Sequence, residues 1–108
     1  MSLSTHVLDA TSGRPAAGVS VRLEAAGDDG WAAAGDGRTG PDGRLSLAGE
    51  LSPGVYRITF GSGDYFAARQ AATFYPEVTI TFEVSERDEH THVPLLLSPF
   101  AYSTYRGS

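Results

Sequence analysis

The chain has 108 residues, 41% hydrophobic and 19% charged, a length and balance that fit one soluble domain and exclude a disordered tail or a coiled coil. With no cysteine, disulfide stapling, thiolate catalysis and cysteine-ligated zinc are all ruled out, so the core holds by packing alone. The net charge of −5 and a basic complement made only of Arg argue against a nucleic-acid partner, and no apolar run approaches the roughly 18 residues of a membrane span.

Thirteen glycines and six prolines punctuate the chain about every eight to twelve residues, the spacing of short antiparallel strands joined by turns. The first strand is expected at Leu3 to Asp9, with Leu3, Thr5, Val7 and Asp9 on one face and Ser4, His6 and Leu8 on the other. After a turn at Gly13, Pro15 and Gly18, Val19, Val21 and Leu23 alternate with Ser20, Arg22 and Glu24 as a half-buried strand. Gly27 to Gly30 turn the chain into a weak small-residue strand from Trp31, a core or edge-packing aromatic, to about Arg38 and Thr39. Gly40-Pro41-Asp42-Gly43 is a tight turn, so Arg44 starts the strand Arg44 to Leu47 at a fixed position. Beyond Ser52-Pro53-Gly54, the stretch Val55 to Phe60 alternates cleanly, with Tyr56, Ile58 and Phe60 inward. A short helix is expected between Ser62 and Ala72, with Ser62 or Asp64 as its cap. Val78 to Val84 is another strand, Glu86 to Glu89 a charged turn, and His90 to Ser98 a strand with His90, His92, Pro94 and Leu96 on one face. Pro99 breaks it, and Phe100 to Arg106 reads as an aromatic final strand. The expectation is an all-β antiparallel sandwich of about eight strands with one short helix, in one domain over residues 1–108. A domain this small gains from oligomer contacts.

All three histidines fall on strands, and His90 and His92 are two residues apart on one face. Read from pattern alone, that face is either a solvated edge, a shared polar pocket or, with a third histidine, a zinc site. Arg44 offers a planar fork of donors suited to a carboxylate, an enolate or an imide-like ring edge. No Gly-x-Ser-x-Gly elbow supports a nucleophilic serine, and the Tyr-rich end is also compatible with a partner-binding surface. The absence of a membrane-length apolar run and of a signal-like start at Met1 to Asp9 points to a cytoplasmic protein, and Arg without Lys beside abundant Ala and Gly points to a GC-rich, bacterial genome.

Four stretches resemble the 5-hydroxyisourate hydrolase branch of the transthyretin-like family: Ser4-Thr5-His6-Val7-Leu8-Asp9, Asp42-Gly43-Arg44, His90-Thr91-His92-Val93-Pro94-Leu95-Leu96-Leu97-Ser98-Pro99 and the closing Tyr105-Arg106-Gly107-Ser108. The closing tetrapeptide is the most specific, because it separates the hydrolase branch from the hormone carrier of the same fold. The resemblance implies a transthyretin-like sandwich whose catalytic residues are His6, Arg44, His92 and Ser108. It implies a substrate site completed by His90, Tyr105, Arg106 and Gly107, with no metal or cofactor. Thr91 departs from the aromatic often found there, and it is expected on the opposite face of the sheet. The family implies a homotetramer, a dimer of dimers with sites between subunits, and cleavage of the N1–C6 bond of 5-hydroxyisourate by water. Two rivals are a carrier of small apolar ligands, which would lack His6, His92 and the Tyr-Arg-Gly-Ser end, and a non-catalytic module of a surface protein, disfavoured by the start at Met1 and the stop at the motif.

Overall fold

In the computed structural model, which describes residues 2–108, the alternating stretches become two facing sheets. The elements run β1 (Ser2–Asp9), β2 (Arg14–Pro15), β3 (Ser20–Gly27), β4 (Gly30–Arg38), β5 (Arg44–Ala48), β6 (Gly54–Phe60), α1 (Ser62–Ala67), β7 (Val78–Val84), β8 (His90–Leu97) and β9 (Tyr102–Thr104). One sheet follows the order β2-β1-β8-β9, with β5 also paired to β1; the other is β4-β3-β6-β7. The period-two faces meet between the sheets. Leu3, Val7, Val93, Leu95 and Leu97 pack against Val21, Leu23, Ile58, Phe60, Val78 and Val84, all buried.

The all-β class and the strand faces agree with the sequence, and five details differ. The pair β1–β8 is parallel, from Ser2 opposite His90 to Asp9 opposite Leu97, so the sandwich is not purely antiparallel. No hairpin joins strands so far apart in the chain, so nothing local forces them to run oppositely. The two-residue β2 was not foreseen; it brings the described strands to nine. The helix ends early because Gln70 takes φ 55°, with Gln70 N–H donating to Ala67 O and Ala71 N–H to Phe66 O at 3.0 Å each, a closing pattern that stops propagation. Neither expected cap acts: α1 has no side-chain cap, and the Ser62 hydroxyl instead donates to Tyr75 O at 3.1 Å. The last strand spans only Tyr102–Thr104, because Ser98 N–H and Oγ–H both bond Ala101 O and fold Pro99 and Phe100 into a turn. Trp31 packs at an edge, 38% exposed, with the Arg57 guanidinium 4.3 Å from its ring centre.

One buried polar pair ties α1 to the first strand. The Tyr65 hydroxyl donates to Asp9 Oδ2 at 2.9 Å, while Thr11 N–H donates to Asp9 Oδ1 at 2.9 Å. Burial, reinforced by the bonded carboxylate, pushes the Tyr65 hydroxyl up to about 12. Tyr65→Phe leaves that carboxylate short of a donor in a dry site and is expected to cost about 1–3 kcal/mol in urea unfolding. An unchanged midpoint would show that Asp9 finds another donor.

Candidate active site

Arg44 owes its place to the turn before it. Gly40 N–H bonds Arg44 O, Gly43 N–H bonds Gly40 O, and the Asp42 carboxylate accepts from Arg44 N–H at 3.0 Å. Gly43 has φ 77°, and a Cβ there would stand 2.4 Å from the Val7 carbonyl oxygen, so only glycine brings the turn this close to β1. Val7 N–H then bonds Gly43 O, and β5 pairs with β1 so that Arg44 lies opposite His6. Arg44 is exposed, and among the described residues no carboxylate pairs with it.

The parallel register of β1 and β8 brings the other two histidines to the same outer face. Ser4 is level with His92 and Ser2 with His90, while His6 is level with Pro94. The Ser4 hydroxyl is hydrogen-bonded to His92 Nδ1 at 2.8 Å and to His90 Nε2 at 2.9 Å, and Ser2 Oγ is bonded to His90 Nδ1. The two rings stack at 6.4 Å with a 20° tilt. His6 and His92 are half-buried and His90 is exposed. Burial, joined by the positive charges of His90, Arg44 and His6, holds the His92 imidazole below the usual histidine range. His92 therefore stays neutral, and able to accept a proton, to lower pH than a free histidine. A shallow hollow of about 280 Å³ between Arg44 and His92 is floored by Ser4, Thr5, Leu45 and Ser46.

The end of the chain returns to this place. Gly107 N–H donates to His92 O at 2.9 Å, and a Cβ on Gly107 would stand 2.4 Å from His92 Cδ2, so the glycine backbone lies directly on the imidazole. Arg106 is held from outside by Asp88, Nη2 to Oδ1 at 2.6 Å, while the other Asp88 oxygen accepts from Ser85 N–H at 2.8 Å. Arg106 and Tyr105 line a second hollow with Ile80, Phe82, Thr91 and the other side of His92. Ser108 is exposed beyond the Gly107 contact. Thr91 does point to the opposite face and is buried, its hydroxyl without a hydrogen-bond partner.

His6, Arg44, His92 and Gly107 thus converge, His90 joins them through Ser4, and Tyr105, Arg106 and Ser108 stand at the rim. Among the described residues no three His, Asp or Glu side chains are grouped to hold a metal ion. Another hollow, about 550 Å³, lies on the outer face of the other sheet; Arg22 and Arg38 there meet Asp36, Asp64 and Glu77, charges of both signs with no histidine among its lining.

Residues 3–107 match the model of the HIUase/Transthyretin family. The chain belongs to this family. It is 48% identical to the 5-hydroxyisourate hydrolase of Caulobacter vibrioides, over 98% of this chain and 97% of that protein. The structure of Klebsiella pneumoniae 5-hydroxyisourate hydrolase superposes with a TM-score of 0.88 at 34% identity, covering all of both chains. Transthyretin from Sparus aurata superposes with a TM-score of 0.92 at 30% identity, over 97% of this chain and 95% of that one. Fold similarity therefore does not separate the hydrolase from transthyretin, and the residues of the site must do so.

Sequence reasoning missed Ser2 and Ser4 within this cluster. Both alternate with His6 on the same face of β1, and that pattern was visible. What was not visible was the parallel partner strand that turns them toward His90 and His92.

Proposed function

We propose that this chain, acting over residues 1–108 as one unit, hydrolyses 5-hydroxyisourate to 2-oxo-4-hydroxy-4-carboxy-5-ureidoimidazoline in urate breakdown. The observation that carries the reading is the convergence of Arg44, without a carboxylate partner among the described residues, with half-buried His6 and His92, the Gly107 backbone lying on the His92 ring. Neutral His92 is the better placed base, because its environment resists protonation while its Nδ1 is anchored by Ser4. It takes a proton from water as the water oxygen attacks C6. Arg44 holds the polar edge of the ring and stabilises the negative charge that builds on the C6 oxygen. His6, opposite Arg44 in the β1–β5 pair, stands beside it as a further polar group for the ring. Breaking the C6–N1 bond releases N1, which must gain a proton as it leaves. Ser108, next to Gly107, closes the rim, with Tyr105 and Arg106 beside it. The step needs only water and side chains, so no metal or cofactor enters it.

A small-ligand carrier has no use for an unpaired Arg beside a cluster of histidines, which favours the hydrolase. The site lies on an open face rather than in an enclosed cleft, and Leu96 of β8 and Phe100, Tyr102 and Tyr105 after it are exposed, which supports a homotetramer, a dimer of dimers, with sites between subunits. No helix among the described residues is long and apolar enough to cross a membrane. The bacterial relatives support a bacterial source, and a cytoplasmic setting fits the start of the sequence, which has no signal-like apolar stretch at Met1 to Asp9.

Arg44→Lys tests the planar fork. It keeps the charge and loses the paired donors, so its kcat is expected to fall nearly as far as that of Arg44→Ala, on the order of a hundredfold. Equal turnover in the Lys and Arg forms would mean that a point charge suffices.

A further inference from the structure

Four side chains of the outer face form one hydrogen-bonded row: Ser2 Oγ to His90 Nδ1, His90 Nε2 to Ser4 Oγ, and Ser4 Oγ to His92 Nδ1. A hydroxyl carries a single proton, so Ser4 donates to one imidazole and accepts an N–H from the other. The row therefore has two consistent polarities. When protons point outward, His92 Nδ1–H donates to Ser4, Ser4 to His90 Nε2 and His90 Nδ1–H to Ser2, leaving the lone pair of His92 Nε2 free to act as a base. When they point inward, every bond reverses and Nε2 carries a proton to give away. The ends of the row differ in setting: His92 is half-buried and its charged form disfavoured, whereas His90 is exposed and water solvates its charge.

We propose that Ser4 and His90 are positioning residues that act through His92, forming a proton relay that lets one imidazole serve first as base and then as acid. The proposal rests on the hydrolysis argued above. As the water oxygen bonds to C6, its proton goes to His92 Nε2. The Nδ1 proton of His92 passes to Ser4, and the Ser4 proton passes to His90 Nε2. His92 is then neutral with a proton on Nε2, and the positive charge sits on exposed His90. As the C6–N1 bond breaks, N1 takes the Nε2 proton and His92 Nδ1 recovers one through Ser4 from His90. The acid formed keeps the second proton of water, and the row ends as it began.

The relay can be told apart from a simple neighbouring charge. His92 faces His90 on its own strand, His6 and Ser4 on β1, and Arg44 on β5. Across the second hollow stand Glu83 of β7 and the Asp88–Arg106 pair. Removing His90 takes away the repulsion that a protonated His90 exerts on a proton at His92 and shifts the acid limb of the rate upward in pH. A charge effect does no more than that, whereas a broken relay also lowers the plateau. Ser4→Ala changes no charge, so it lowers the plateau and leaves the acid limb where it is.

The test is the pH dependence of kcat and KM for the wild type, Ser4→Ala, Ser4→Thr and His90→Gln, with the ring nitrogens followed by nuclear magnetic resonance. The relay predicts a plateau kcat lower by about tenfold or more in Ser4→Ala and His90→Gln, part of the usual acid–base contribution. It also predicts an unchanged KM, restoration by Ser4→Thr, and tautomers of His90 and His92 that change together in the wild type and independently in Ser4→Ala. Wild-type plateaus in Ser4→Ala and His90→Gln, or losses confined to KM, would overturn it. Should Ser4→Ala fail to fold, exposed His90→Gln decides the point alone. A wild type that does not hydrolyse 5-hydroxyisourate would refute the proposed activity, while the linked or independent behaviour of the two rings would still decide the relay.

Discussion

Replacing His92 by Asn is expected to lower the turnover of 5-hydroxyisourate by about a hundredfold or more while leaving the fold intact. Asn can keep a polar contact with Ser4, and the half-buried position removes little packing, so unfolding should not account for the loss. His6→Asn is expected to fall in the same direction, because His6 stands on the same face opposite Arg44. The pH profile carries the sign. His92 is held below the usual histidine pKa of about 6.5, so its neutral form persists below that value, and the acid limb of kcat/KM should lie on the low side of an ordinary histidine. The stability linked to this depressed pKa is present above the unfolded value and is lost as pH falls through the folded one. Steady-state rates from pH 5 to 8 check the first statement, and urea unfolding over the same range checks the second. A His92→Asn rate equal to wild type would remove this residue from the reaction.

The second large effect is expected at the end of the chain. Deleting Arg106-Gly107-Ser108 removes the N–H that bonds His92 O, the backbone that lies on the imidazole, and the cation held by Asp88. Most of the hydrolase activity should disappear. The proposed assembly should survive, because β9 and the aromatic side chains before the deletion are retained. Gly107→Ala sharpens the test without shortening the chain. Its Cβ has no room beside His92 Cδ2 at 2.4 Å and Pro94 Cγ at 3.0 Å, so either the ring or the tail must move. Activity near that of the deletion would locate the effect in this contact. Full activity in a truncated protein that light scattering finds intact would show that the terminal motif serves no step of the reaction.

Much of the fold was legible because a strand with one wet face writes its register into the sequence. Leu3-Thr5-Val7-Asp9 and Tyr56-Ile58-Phe60 are buried as their alternation requires, and His6, His90 and His92 share the face that it assigned to them. What was not legible depends on contacts distant in the chain. The parallel pairing of β1 with β8 leaves no turn signal, so the bonds of Ser2 and Ser4 to the histidines could not be read from spacing. The stop of α1 at Ala67 depends on a left-handed Gln70, a residue with no compositional mark of a helix end. Arg44 was foreseen at a fixed position because the Gly-Pro-Asp-Gly turn is local, whereas the grip of Asp88 on Arg106 spans eighteen residues and is a tertiary result.

The most direct measurement is the decay of freshly generated 5-hydroxyisourate, made from urate with urate oxidase and followed by its ultraviolet band, with and without the purified protein. The account predicts catalytic acceleration at substoichiometric protein, abolished in His92→Asn and in the chain lacking its last three residues. Decay at the spontaneous rate in the presence of folded protein would contradict it.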